Sequence, residues 1–212
     1  LIIVGDVDQL PSVGAGNVLN DFIESGFTKV VRLKEIFRQG KESMSVVNAH
    51  KINKGEMPKL NEKGTDFFFI RNDIQEGILN TIIDLINTRL PKFNSNWDKL
   101  KSIQVLVPMK KGVLGVTNLN EKIQNVLNPK APYKKEKEFR SMIFREGDKV
   151  MQIKNNYSLK WTRIAGKGEH EGSGVFNGDM GFIENIDLEG KKLSIIFDDE
   201  RRVIYDFMYL DE

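Results

Sequence analysis

The sequence predicts an α/β protein in which a partial parallel sheet with helices is followed by a small antiparallel β-barrel. Up to residue 127, short apolar runs alternate with amphipathic helical segments, a pattern typical of a parallel sheet covered by helices. Beyond about residue 140, short strand-like runs follow one another with turn signals between them and no helix. That second pattern is typical of a small barrel.

The individual elements follow from apolar spacing and from turn residues. Residues 154–176 hold four glycines and one tryptophan, and they are predicted to form a long, mobile loop. Helices are predicted at 18–26, 42–54, 75–90 and 116–127, buried strands at 1–4, 30–33, 67–70 and 103–107, and barrel strands at 149–153, 181–186, 193–197 and 203–207.

Composition excludes several classes of protein. The 212 residues include no cysteine and two histidines, so disulfide scaffolds, thiol catalysis and Cys/His metal sites are not expected. No apolar run approaches the roughly 18–20 residues of a membrane-spanning helix. With no secretory signal at its start, the chain is expected to be cytoplasmic.

Both ends of the chain are apolar and strand-like. Residues 1–4 open the sequence as LIIV, and residues 203–210 are apolar almost to the last position. A complete domain seldom begins inside its own sheet, so we expect this chain to be a piece of a longer protein.

Positive charge is concentrated in the middle of the chain. Residues 91–168 hold 17 Lys and Arg against 6 Asp and Glu, whereas residues 169–212 hold 4 against 12. A basic segment of this kind suits a surface that follows phosphates. The alternative interpretation is a lysine-rich face that only interacts with solvent.

Two turns carry candidate functional residues. Residues 5–14 follow a buried strand, which is where open α/β sheets place ligands. Residues 108–112 occupy a similar strand-to-helix turn and include two lysines. From the residues alone, each segment is also compatible with an ordinary turn, and Asn118 and Asn120 are compatible with capping of the following helix.

The residues of these segments resemble those of a known family, the RecD-like superfamily 1B DNA helicases. GDVDQLPSVGAGNVL at 5–19 and LKEIFRQ at 33–39 are similar to motifs III and IV of that family. The other similar blocks, in the family's order, are AHKINKGEMP at 49–58, VLVPMKKGVLGVTNLNEKIQNVLNP at 105–129, FREGDKVMQIKNNY at 144–157 and VFNGDMGFI at 175–183.

The resemblance implies roles for four residues in a nucleotide site. Gln9 matches the glutamine that senses the γ-phosphate, and Asp6 is its companion at the strand end. Arg38 matches an arginine that reaches the γ-phosphate from the second lobe, and Gln39 belongs to the same network. The planar guanidinium suits such contacts with phosphate, although Arg38 is also compatible with a surface helix.

The resemblance also implies a track for single-stranded DNA. Pro108, Met109, Lys110 and Lys111 match the turn that faces DNA, where lysines and exposed amides hold phosphates without reading bases. The matching residues at the rim of the small barrel are Asn155, Asn156 and Tyr157.

The implied fold is a partial RecA-like parallel sheet with an inserted SH3-like antiparallel barrel. Residues 1–33 are expected to end the first RecA-like lobe, 34–140 to form most of the second, and 141–212 to form the barrel. The sequence has no GxxxxGK[ST] phosphate loop. We therefore expect this chain alone to bind no nucleotide tightly and to hydrolyse none.

The function implied for the longer protein is ATP-dependent 5′-to-3′ unwinding of DNA in recombination and repair. ATP and Mg²⁺ are the implied cofactors, and single-stranded DNA is the implied partner, with nuclease and helicase subunits added in an exodeoxyribonuclease V complex. Two alternatives stay open: a non-catalytic nucleic-acid-binding module, and the helicase part of a TraA-type conjugative relaxase.

Overall fold

A computed structural model describes residues 2–9, 16–32, 43–165 and 170–211. The chain forms two compact units, Leu1–Arg71 and Asn72–Glu212. The predicted nucleotide-site residues Arg38 and Gln39 lie outside the described residues. Among the helices of the described residues, none is long and apolar enough to cross a membrane.

The described residues of the first unit include two helices, α1 (Val18–Glu24) and α2 (Met44–Asn53), both at predicted positions. Asp66 holds the start of α2, because its Oδ1 accepts hydrogen bonds from the N–H groups of Met44 (2.6 Å) and Ser45 (3.2 Å). The Ser43 hydroxyl donates to Asp66 Oδ2 at 2.5 Å. This hydroxyl and the two amides lower the pKa of Asp66.

Side-chain amides fix residues 59–69 of this unit. Asn48 on α2 is fully buried, and its amide group exchanges two hydrogen bonds with the backbone of Lys59, at 2.7 and 2.8 Å. Asn61 makes the same paired contact with the backbone of Phe69, at 2.9 and 2.7 Å. Residues 59–69 are thus fixed by side-chain amides that satisfy backbone groups.

The predicted parallel sheet is not formed in the described part of the chain. The described residues of the segments at 1–4, 30–33, 67–70 and 103–107 have no regular secondary structure. Many of their apolar side chains are exposed, with Ile2, Val31 and Leu106 at 90%, 79% and 87%. A strand needs neighbours for its backbone groups, and none pairs with these segments among the described residues.

The second unit begins with helices at the remaining predicted positions. A continuous helical run consists of α3 (Gln75–Asp84), one π-helical turn (Leu85–Arg89) and α4 (Leu90–Phe93). It is followed by α5 (Val116–Leu127). Ile86 of the π turn and Leu119 of α5 are buried, and apolar residues of α5 and of this helical run line one shared groove.

The eight strands of the described residues lie after α5, and every pairing between them is antiparallel. Strands β1 and β2 form a hairpin that the sequence analysis did not predict. The other six form one sheet in the order β3-β6-β7-β8-β4-β5. The strands are β1 (Glu136–Phe139), β2 (Met142–Arg145), β3 (Lys149–Met151), β4 (Asn156–Arg163), β5 (Glu171–Val175), β6 (Met180–Asp187), β7 (Lys192–Phe197) and β8 (Arg201–Asp206).

The six-stranded sheet has its own apolar core, made by alternate residues of β6, β7 and β8. Tyr205 adds a polar contact at the edge of this core, where its hydroxyl donates to Gln152 Oε1 at 2.7 Å. The buried core residues are Val175, Ile183, Ile186, Leu193, Ile195, Phe197, Val203 and Tyr205. The predicted mixed α/β chain with a small β domain is therefore confirmed.

The prediction of a long loop over residues 154–176 is wrong, because β4 and β5 occupy most of it. Gly172 explains the error. A Cβ atom at Gly172 would lie only 2.4 Å from the Trp161 ring, so the glycine leaves room for the ring across the strand pair Trp161↔Gly172. A glycine inside a strand commonly marks such a close approach.

Candidate nucleotide and nucleic-acid interface

Asp6 and Gln9 form a surface turn in the first unit. Asp6 Oδ1 accepts from the N–H of Asp8 at 3.0 Å, and Asp6 Oδ2 accepts from Gln9 Nε2 at 3.3 Å. Both side chains are exposed. Helix α1 lies against the start of this turn, since a Cβ atom at Gly5 would be 2.6 Å from Leu19 Cδ2. The carboxamide of Gln9 is thus oriented by its neighbour while it stays accessible.

The basic loop, defined as residues 108–112, lies between the segment 103–107 and helix α5. Pro108, Met109, Lys110 and Lys111 are all exposed, with Met109 at 50%. Among the described residues, no carboxylate lies within ion-pair distance of either lysine. The loop therefore presents two unneutralised positive charges to solvent.

The backbone of the basic loop is folded onto the first turn of α5. The N–H of Val116 donates to the carbonyl of Met109 at 3.0 Å, and the N–H and hydroxyl of Thr117 donate to the carbonyl of Lys110 at 3.4 and 3.2 Å. These two amides at the start of α5 are therefore already hydrogen-bonded. A phosphate at this loop would be held mainly by the lysine side chains.

Gly115 makes this tight fold possible. A Cβ atom at Gly115 would lie 2.5 Å from backbone atoms of Lys111, so a larger residue would push the loop away. Gly115 is also the N-cap residue of α5, and no side chain caps the helix. The predicted capping by Asn118 is wrong, because its amide group donates instead to the carbonyl of Val113 at 2.7 Å.

An aromatic pair stands at the rim of the six-stranded sheet. The rings of Tyr157 and Phe176 meet edge to face, with centroids 5.4 Å apart. Their exposed fractions are 71% and 40%. Gly174 holds a positive φ of 106°, and a Cβ atom there would lie 2.9 Å from the Phe176 ring. The backbone of β5 thus leaves space for Phe176 beside Tyr157.

Two asparagines shape the rim around this pair. Asn156 Oδ1 accepts from the N–H groups of Ser158 (3.2 Å) and Leu159 (3.1 Å), which closes a turn around Tyr157. Asn155 Oδ1 accepts from the N–H of Asn177 at 2.9 Å. The structure thus places both predicted asparagines in supporting positions, with Tyr157 projecting between them.

Side-chain hydrogen bonds hold the turn that carries Phe176. The carboxylate of Asp179 accepts from the N–H of Phe176 at 3.0 Å and from Arg201 Nη2 at 2.8 Å. Arg201 Nη1 also donates to the carbonyl of Gly174 at 2.9 Å. Sequence reasoning treated this turn as structural and missed the exposed ring, since only the tertiary contact with Tyr157 reveals it.

Two family models match the chain. Residues 119–197 match the model described as the ATP-dependent RecD-like DNA helicase SH3 domain, and residues 1–75 match one described as an AAA domain. The chain is also 29% identical over 198 residues to the ATP-dependent RecD2 DNA helicase of Deinococcus radiodurans. Together these matches support a fragment of a RecD-like DNA helicase.

The RecD-like chain spans only a minor part of its curated relatives. It aligns over 93% of its own length with 23% of the Deinococcus protein. It is also 30% identical to an uncharacterized protein of Methanocaldococcus jannaschii, with 86% of this chain covering 19% of that protein. The match to the family model for the SH3 domain begins inside α5, at Leu119, and ends at Phe197, the last residue of β7.

Proposed function

We propose that this chain is part of an ATP-dependent 5′-to-3′ DNA helicase and supplies one wall of its nucleotide site and part of its single-stranded DNA track. The observation that carries this proposal is the basic loop, which offers Lys110 and Lys111 without a neutralising carboxylate among the described residues. The comparisons favour the motor over a passive binding module, because one matching family model describes a RecD-like DNA helicase domain and one relative is a DNA helicase.

The first unit offers suitable groups to a nucleotide. The exposed carboxamide of Gln9 can donate to a phosphate oxygen, and Asp6 orients it through the 3.3 Å hydrogen bond. Bound ATP with Mg²⁺ supplies the free energy for movement on DNA. In the proposed role Gln9 senses the terminal phosphate, Arg38 stabilises its developing charge, and Gln39 completes the network.

The second unit offers two kinds of contact to single-stranded DNA. Lys110 and Lys111 attract the phosphates without regard to sequence, as a motor requires. Tyr157 presents a ring face on which a base can stack, and Phe176 fixes the orientation of that ring. A charged loop and an aromatic platform are the usual components of a sequence-independent single-strand site.

The double substitution Lys110→Met and Lys111→Met is expected to weaken binding of this chain to an oligo-dT strand and to flatten its dependence on salt. Each lost phosphate contact lowers the slope of log K against log salt by about 0.7, so the slope should fall by up to about 1.4. Fluorescence anisotropy at several salt concentrations measures both quantities.

The matched control is Lys63→Met with Lys192→Met, which removes two exposed lysines outside the proposed track. This control lowers the net charge by the same amount as the Lys110→Met and Lys111→Met variant. A difference in binding between the two variants therefore reflects the position of the lysines and not the total charge. An equal loss of affinity and slope in both double variants would show that the basic loop is ordinary charged surface.

Tyr157→Ala is expected to reduce affinity for single-stranded DNA by about 1–3 kcal/mol, the usual contribution of one stacked base. Tyr157→Phe should retain most of the affinity, because the ring remains. Tyr133→Ala serves as the control, since Tyr133 is 80% exposed and lies outside the rim. If Tyr157→Ala and Tyr133→Ala bind equally well in anisotropy titrations, the aromatic pair has no part in the track.

A further inference from the structure

A buried polar cluster, defined as Gln124, Asn128, Arg145 and Asp148, joins the end of α5 to the β strands. Asp148 is at its centre and accepts hydrogen bonds from Gln124 Nε2 (2.6 Å), Asn128 Nδ2 (2.7 Å) and the N–H of Arg145 (2.7 Å). Arg145 is 3% exposed, and its Nε donates to Glu136 Oε1 at 2.6 Å. Burial raises the pKa of Asp148, while the hydrogen bonds from Asn128 and Gln124 oppose that rise.

This cluster attaches α5 to two β elements at once. Gln124 Nε2 also donates to the carbonyl of Ile143 in β2 at 2.7 Å. The backbone of Asp148 pairs with β6, since its carbonyl accepts from the N–H of Ile183 at 2.9 Å. Asn128, Arg145 and Asp148 are buried, so the loss of a hydrogen bond among them leaves an unsatisfied buried polar group. The far end of α5 is therefore held rigidly on the β structure.

A second attachment holds the chain on the other side of the basic loop. Lys149 of β3 donates from Nζ to Gln104 Oε1 at 3.1 Å and to the carbonyl of Ile103 at 3.5 Å. The ammonium group of Lys101 lies 5.5 Å from the centre of the Phe182 ring in β6. Residues 101–104 thus contact the six-stranded sheet just before the basic loop begins.

The two attachments bracket the basic loop. Residues 101–104 precede it, and Gln124 lies about 12 Å beyond the start of α5 along the helix axis. The loop itself is bonded to the first turn of α5 through Val116 and Thr117. A shift of α5 or of segment 101–104 on the sheet would therefore move the carbonyls of Met109 and Lys110.

We infer that Gln124 and Lys149 are positioning residues, which fix the conformation of the basic loop for DNA: Gln124 anchors α5 on strand β2 and on Asp148, and Lys149 anchors residues 103–104 on the six-stranded sheet. This inference rests on the proposed function, since it assumes that the loop binds DNA. It assigns the sheet a role as the rigid base of the basic loop, in addition to the contacts made at its own rim.

The test compares Gln124→Leu and Lys149→Met with the unaltered chain. Gln124 is only partly buried, and loss of its amide should leave the sheet core intact. Each variant is expected to bind an oligo-dT strand about 2- to 30-fold more weakly, the range in which residues act on a distant site. Hydrogen exchange should become faster at the amides of Val116 and Thr117.

Matched controls separate positioning from general effects of polarity and charge. Asn125→Leu makes the same change of polarity at an exposed position on α5, and Lys192→Met removes an equal charge from β7. Both should bind DNA as the unaltered chain does. Lys149→Arg keeps a donor for Gln104 and should restore most of the affinity lost in Lys149→Met.

A comparison of combined variants shows whether Gln124 affects DNA binding through the basic loop. If it does, Gln124→Leu should cause little further loss of affinity in a chain that already carries Lys110→Met and Lys111→Met. A fully additive loss would overturn the inference, as would normal binding by both Gln124→Leu and Lys149→Met. Normal binding of DNA by the Lys110→Met and Lys111→Met double variant would instead contradict the proposed function.

Discussion

Arg38→Ala is expected to abolish most ATP turnover in a longer polypeptide that joins this chain to a phosphate-binding loop of the family. Guanidinium groups that meet the transferring phosphate contribute about 10³–10⁵-fold to the rate in other nucleotide hydrolases. Affinity for single-stranded DNA should be retained, because the basic loop and the aromatic pair are unchanged. Steady-state phosphate release with saturating oligo-dT measures the first quantity, and anisotropy measures the second.

Two further variants sharpen this prediction. Arg38→Lys should remain strongly impaired, because an ammonium group cannot reproduce the planar set of donors. Arg32→Ala is the control, since Arg32 is an exposed arginine that contacts Glu24 at 3.8 Å. Turnover by Arg38→Ala within a few-fold of the unaltered protein would show that Arg38 is an ordinary surface arginine, which was the alternative interpretation of the sequence.

Ile186→Ala is expected to lower the free energy of unfolding of the six-stranded sheet by about 2–5 kcal/mol. Ile186 is fully buried on β6 and lies opposite Leu193 of β7, which is also buried. Removal of its side chain leaves a cavity between strands that hold most of the core. Urea titration followed by tryptophan fluorescence measures the change, because Trp161 packs against the same core.

The control for Ile186 is Ile204→Ala on strand β8 of the same sheet. Ile204 is 52% exposed and lies opposite Ser194, so its substitution should cost no more than about 1 kcal/mol. Similar midpoints for the two variants would mean that Ile186 does not belong to the core of the folded chain.

The sequence was sufficient to predict the helices and strands that have strong local signals. The four predicted helices are present, and α5 has the predicted bounds of residues 116 and 127. Strands β6, β7 and β8 lie within one or two residues of their predicted positions. Apolar periodicity and Asn-Gly or Glu-Gly turns encode these elements over a few residues.

The errors arose where a residue's role depends on distant partners. Segment 67–70 has the composition of a strand, but Asn61 satisfies the backbone of Phe69 and no strand pairs with it. Glycine is typical of loops, but Gly172 lies within a strand pair and leaves room for the ring of Trp161. A local pattern cannot distinguish these cases, because the decisive contact comes from another part of the chain.

By itself the sequence determined the family, the helix positions and the residues proposed to contact nucleotide and DNA, because motif residues and apolar spacing are local properties. Only the tertiary structure decided that Phe176 supports Tyr157, that the α5 amides are already bonded, and that Gln124 and Lys149 anchor the basic loop. The physical reason is that these hydrogen bonds and ring contacts join residues 7 to 45 positions apart, so they depend on how the chain packs.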